Sequence, residues 1–254
     1  MRQDTHAPFD LALERAREGA FPPGEFVEQE SFMRAAEIRA LAERAGIARG
    51  VSVLDLCCGV AGPGRFITRE LGCRYLGVDA SPSAIEIASA RARGLGCRFE
   101  VGEVPPLPAG SFDVVLLLET MLAFPDKAAL VGAVRGALLP GGRFAFTLEE
   151  GAPLTADERA VMPAADTVWL TPLDEMVALL ERAGLRVTWQ EDLSAAHAAA
   201  ATALAAAYAA DGPAVAAGIG GPALDELLAA HRLWSGWLAT GRVRKLALVG
   251  SVPA

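Results

Sequence analysis

The stretch Val53-Leu54-Asp55-Leu56-Cys57-Cys58-Gly59-Val60-Ala61-Gly62-Pro63-Gly64-Arg65 decides how this chain is read. It opens inside a short apolar run, Val51 to Leu56, with the length and composition of a buried strand. Glycines follow at 59, 62 and 64, and then a helical pattern to about Leu71. Glycines in such a loop let a ligand approach the backbone, and the helix start favours negative groups. Tyr75 to Val78 reads as a second strand that ends at Asp79, 20 residues after Gly59. An acid in that place binds ribose hydroxyls in nucleotide-binding folds, or it caps the helix opened by Ser81-Pro82. Asp55 narrows the ligand further. A carboxylate directly before the loop repels a pyrophosphate but suits a nucleoside that carries an ammonium.

Working outward, strand-like runs recur at Arg98 to Val101, Phe112 to Leu118, Arg143 to Leu148, Leu185 to Glu191 and Val243 to Val249. Helical patterns separate them. One begins at about Glu25 or Ser31 and runs to Ala45; others cover 126–139 and Pro172 to Ala183. This alternation predicts an α/β, doubly wound, mostly parallel seven-stranded Rossmann-like sheet with helices on both faces. All 254 residues read as one domain. Residues 1–46 form an N-terminal helical cap. Residues 192–241 form a helical insert before the last strand, either a lid or a contact between two copies in a homodimer.

Composition limits the function. Hydrophobic residues make up 52% and charged residues 21%, so the chain builds a core rather than staying disordered. The net charge is −8, and the densest basic run is only Arg242, Arg244 and Lys245, alternating as along one strand face. Nucleic acid and anionic membrane surfaces are therefore not expected partners. No run of 18 apolar residues exists and the first residues lack a signal-like apolar core, so the reading is cytoplasmic. Cys57, Cys58, Cys73 and Cys97 form no C-x-x-C pair and only three histidines are present, so no metal site is expected. Arg outnumbers Lys by 21 to 2 and Ala reaches 51, a bias of GC-rich bacterial genomes.

Taken in order, the segments VLDLCCGVAGPGR, YLGVDAS, FEVGEVPPLPAGSFDVVLLLETMLAFPD and LLPGGRFAFTLEE resemble those of class I S-adenosylmethionine (SAM)-dependent methyltransferases. The likeness covers about residues 30–190 and the last strand. It departs from the family at Cys57 and Ala61, where glycine is usual. The resemblance implies SAM as cofactor, S-adenosylhomocysteine (SAH) as product and a small-molecule acceptor. It implies that Asp55, Cys57 and Gly59 hold the methionine part and Asp79 the ribose, with Ala80 near the adenine. Glu103 and Val104 would meet the adenine edge, and Glu119 would stand between cofactor and substrate. Phe26, Gln29 and Ser31, in the segment Gly24 to Phe32, would close over the cofactor.

A sulfonium is a good leaving group, so the protein mainly aligns the acceptor and excludes water. A base is needed only for a protonated acceptor. The candidates are His231, Glu119 and Glu149, with Glu150 beside it; His197 and His6 are further histidines. Trp169, His197 and Trp234 are candidates for the substrate pocket, since aromatic walls bind apolar or cationic groups. N- or O-methylation of a small molecule in specialised metabolism is the resulting expectation. A SAM-binding protein without methyl transfer is the alternative, and an NAD(P)-dependent oxidoreductase is a remote one because the loop lacks a clean G-x-G-x-x-G.

Overall fold

The computed structural model describes residues 11–253. Seven strands form one sheet: β1 (Ser52–Leu56), β2 (Arg74–Asp79), β3 (Cys97–Val101), β4 (Phe112–Leu117), β5 (Leu138–Glu150), β6 (Arg186–Asp192) and β7 (Arg244–Ser251). Their order is β3-β2-β1-β4-β5-β7-β6. All neighbours pair in parallel except those of β7, which runs antiparallel to both β5 and β6.

Alternation along the strands feeds two cores. Leu54, Leu56, Val115, Leu117, Phe144 and Phe146 face one side, where Leu130, Val134, Met176 and Leu180 cover them. These come from α5 (Lys127–Ala137) and α7 (Leu173–Arg182). Val53, Tyr75, Val114, Leu116 and Val249 face the other side, against Ile38, Leu41, Phe66 and Ile67. Those belong to α2 (Ala35–Arg44) and α3 (Gly62–Leu71). A side-chain period of 2 with both faces covered makes these strands uniformly apolar.

A third core is mainly helical, with Phe21 added from just after the first helix. α1 (Leu11–Ala20), α8 (Ser194–Ala210), α9 (Gly212–Ile219) and α10 (Gly221–Thr240) pack around Leu13, Leu204, Tyr208, Val215 and Leu224. The expected 192–241 insert is thus three helices that join α1 over the carboxyl edge of the sheet.

One local expectation is corrected. The helix expected from Glu25 or Ser31 begins only at Ala35. Residues 25–33 instead form a loop held by Gln29. Its amide donates to the carbonyls of Glu25 (3.0 Å) and Met33 (2.8 Å) and accepts from the Val27 N–H (2.6 Å). One buried side chain thus does the work of helical backbone bonds.

Candidate functional site

Two cavities meet at the carboxyl edge. The first, about 310 Å3, lies where the chain order reverses between β1 and β4, the usual ligand crevice of such sheets. Asp55, Cys57, Gly59, Ala61, Asp79 and Glu119 are among its walls. The loop after β1 keeps a glycine-like backbone despite its residues: Cys57 and Ala61 have φ of 57° each, and Gly59 has 53°. The two departures from the family pattern therefore leave left-handed conformations in place.

Gly59 and Gly62 line the cavity and Gly64 does not. A Cβ on Gly62 would stand 2.3 Å from the Val27 carbonyl, so this glycine admits the covering loop. A Cβ on Gly64 would stand 2.1 Å from the Tyr75 hydroxyl, so this one admits a tyrosine. That hydroxyl donates to Asp55 at 2.5 Å. Burial pushes the Asp55 carboxyl up to about 7, and Asp79 adds to the effect against the pull of Tyr75. Asp79 accepts from the Gly59 N–H (2.8 Å) and the Ser81 N–H (2.9 Å), one on each oxygen. It pins loop and helix start together, while each oxygen keeps a lone pair for a diol.

The second cavity, about 220 Å3, opens beyond the first. Glu119, Glu30 and Ser31 line both. Glu149, Lys245, Phe32, Leu122, His231 and Trp234 complete most of its wall. The antiparallel turn of β7 explains Lys245. It brings the start of β7 to the end of β5, in register Glu149↔Lys245 and Glu150↔Arg244. The second pair points to the surface side, with Arg244 2.8 Å from Glu150. The first points inward, where the Lys245 ammonium joins Glu149 and lies 2.6 Å from Glu119.

Burial alone would lower the Lys245 pKa, yet the two carboxylates hold it above the ordinary lysine value. Burial would raise the Glu119 pKa, yet Lys245 and then His197 hold it below the usual carboxylate range. Glu119 also has a left-handed backbone (φ 60°), and its N–H donates to Thr147 Oγ1 at 2.6 Å.

His231 sits on α10 with Nδ1 2.7 Å from the Leu227 carbonyl. That bond places the proton on Nδ1 and leaves Nε2 as an acceptor. Burial lowers the His231 pKa, outweighing the Leu227 bond. The ring meets Phe32 and Tyr208 edge-on, at 5.4 and 5.2 Å.

The other sequence-stated candidates are placed as follows. Trp234 lines the second cavity and packs edge-on against Trp237 at 5.6 Å. His197 does not line it. It is 0% exposed, with Nε2 3.4 Å from Glu37 and Nδ1 4.0 Å from Glu119. Trp169 is 40% exposed under the Arg159 guanidinium and is away from both cavities. Phe26 faces Phe21, ring centres 5.8 Å apart, and lines a separate crevice beside Arg65 and Phe66. Gln29 lines the first cavity, with its amide committed to the covering loop. Ala80 and Glu103 are exposed and Val104 half-buried; none borders the first cavity. His6 lies outside the described residues. No group of metal-ligand type was found among the described residues.

Lys245, Glu37, Glu30 and Phe32 were not singled out as site residues from sequence. Lys245 carried one signal: it is one of two lysines in the chain and sits in the run Arg242, Arg244, Lys245. Its inward direction depends on strand register.

Residues 53–142 match the methyltransferase domain family. Methyltransferase GfsG of Streptomyces halstedii is 30% identical over 61% of this chain and 59% of its own length. The chain therefore spans about three fifths of that curated relative. Among solved structures, the mycolic acid cyclopropane synthase CmaA1 complexed with SAH and CTAB superposes with a TM-score of 0.80 at 12% identity, covering 99% of each chain. The [4+2]-cyclase SpnF superposes with a TM-score of 0.74 at 21% identity, over 96% of this chain and 92% of its own. At these identities the structural likeness is one of fold.

Proposed function

We propose, from the premise that this chain belongs to the class I SAM-dependent methyltransferases, that it moves a methyl group to a nitrogen or oxygen of a small-molecule acceptor. The observation that carries the reading is Glu119, a wall common to a cofactor-type cleft and a second pocket. The donor set of the cleft fits SAM. Asp55 is a buried carboxyl held by a neutral hydroxyl, so an ammonium is the partner its charged form lacks. Asp55, Cys57 and Gly59 hold the amino-acid part and Asp79 the ribose diol, with Ala80, Glu103 and Val104 nearest the adenine in the family pattern. When bound, the cofactor supplies a methyl group already activated on a sulfonium.

The remaining work falls to the chain. The helices α1 and α8–α10 act as a lid that excludes water from the acceptor pocket; α10 supplies Ala230, His231, Trp234 and Leu238 to its wall. His231 Nε2 acts as the base that takes the acceptor's proton. Glu119 and Glu149, neutralised in part by Lys245, orient the acceptor. We place the protein in the cytoplasm of a bacterium. All four cysteines are free, and no described helix is long and apolar enough to cross a membrane.

Calorimetry with SAM, SAH and NADH tests the cofactor half. Micromolar binding of SAM or SAH without NADH supports it, and NADH binding alone overturns it. Acceptor screening by mass shift tests the transfer half. A second reading, SAM binding without methyl transfer, draws on the likeness to the [4+2]-cyclase SpnF. SAM binding with no SAH formed across many acceptors would favour it.

A further inference from the structure

We infer that the second pocket takes a primary or secondary amine as its ammonium form, held by Glu149. The inference deepens the methyl-transfer reading, and its binding half can be tested apart from that reading.

Glu149 is 6% exposed, and its Oε2 has no hydrogen-bond partner among the described residues. Its other oxygen joins Lys245, which at the same time serves Glu119. One ammonium thus answers two buried carboxylates. Glu119 Oε1 and both His197 ring nitrogens also lack a hydrogen bond, but Glu119 Oε1 has the Lys245 ammonium 2.6 Å away and His197 lies off the cavity wall, while the other charges have partners. Glu37 on α2 takes Arg34, and His197 on α8 stands between Glu37 and Glu119, outside the cavity wall. Lys127 on α5 donates its ammonium hydrogens to the carbonyls of Phe124 and Trp169. Glu30, at the mouth, pairs with Arg17 of α1 at 3.1 Å.

A buried carboxylate oxygen without a donor is costly, and a ligand that supplies the donor recovers that cost. A carboxylate acceptor would add a like charge. A neutral hydroxyl would satisfy one lone pair and no charge. An ammonium brings both the donors and the charge, and charge-assisted bonds of this kind are the stronger ones. The walls agree. Phe32 and Trp234 present aromatic rings, which attract cations, and Leu122 and Leu238 suit an apolar substituent. The cavity of about 220 Å3 limits the part enclosed to a small group.

Benzylamine, benzyl alcohol and benzoate share one shape and differ in charge. Calorimetry at neutral pH on SAH-saturated protein should give benzylamine at least about tenfold tighter than benzyl alcohol, with benzoate not binding. Glu149→Gln, nearly isosteric, should erase that preference while SAH affinity holds; Glu119→Gln should reduce it. Equal or tighter binding of the alcohol, an undiminished preference in Glu149→Gln, or no binding of any of the three overturns the inference. Should SAH itself fail to bind, the titration is repeated without it. An amine preference there supports the pocket assignment while the cofactor reading falls, and its absence overturns both.

Discussion

In the first cavity, Asp55 and Asp79 are held by uncharged donors, the Tyr75 hydroxyl and two backbone N–H groups. In the neighbouring pocket, Glu119 and Glu149 are held by an ammonium, that of Lys245. The first arrangement leaves carboxylates that accept a cation or a diol from a ligand. The second is a preformed ion cluster whose members depend on one another. The first is built from residues 55–81, within one strand-loop-helix-strand unit. The second gathers the ends of β4, β5 and β7, with α10 and the covering loop beside them. Local chemistry thus makes the first cavity, and strand register makes the second.

The largest expected effect tests the base. His231→Gln should lower kcat for a protonated acceptor by about 10²–10⁴-fold, the usual contribution of a general base. In the parent, kcat/KM should fall on acidification with its midpoint below 6.5, because burial keeps the imidazole neutral to lower pH. The variant should lose that acid limb. A limb unchanged in His231→Gln would assign it elsewhere.

Next comes the ion cluster. Lys245→Met removes the cation shared by two buried carboxylates and should cost about 3–5 kcal/mol, read as a drop in the urea midpoint. A variant as stable as the parent would mean that the two halves of the site are held alike. The cofactor half should respond differently. Asp79→Ala should weaken SAH binding by about 1–3 kcal/mol, measured by calorimetry, and should spare benzylamine binding. Loss of amine binding in Asp79→Ala would show that the halves are coupled. Trp169→Ala should leave SAH and amine binding within experimental error, since the ring stands outside both cavities; a tenfold loss of either would return Trp169 to the pocket.

The same contrast explains what could be read in advance. The parallel strands β1 and β4 announced themselves because both faces are covered, which makes them continuous apolar runs. The glycine loop and Asp79 were legible because their spacing lies within one short unit. The late start of α2 was not, since it turns on Gln29 replacing helical bonds with its amide. Lys245 and Arg244 look alike in sequence, and only the register against Glu149 and Glu150 sends one inward and the other outward. Trp169 and Trp234 are both aromatic residues near the expected edge, yet one lies under Arg159 and the other lines a pocket. No local pattern separates them, because tertiary packing decides which way each faces.

The left-handed backbone of Cys57 and Ala61 also matters to anyone who would evolve this protein in the laboratory. An L-residue there costs about 1–2 kcal/mol in the folded chain. Glycine would relieve it, while adding about 0.4–1 kcal/mol of freedom to the unfolded chain. These effects nearly offset, but Ala61 is buried in the core, where a larger side chain would overpack, so of the two positions only the half-buried Cys57 is open to library diversification at small thermostability risk. Each introduced side chain would alter the cleft wall while the loop's path is set by its neighbours. Selection for new ligands could therefore begin at the Cys57 codon, ahead of Asp55 and Asp79.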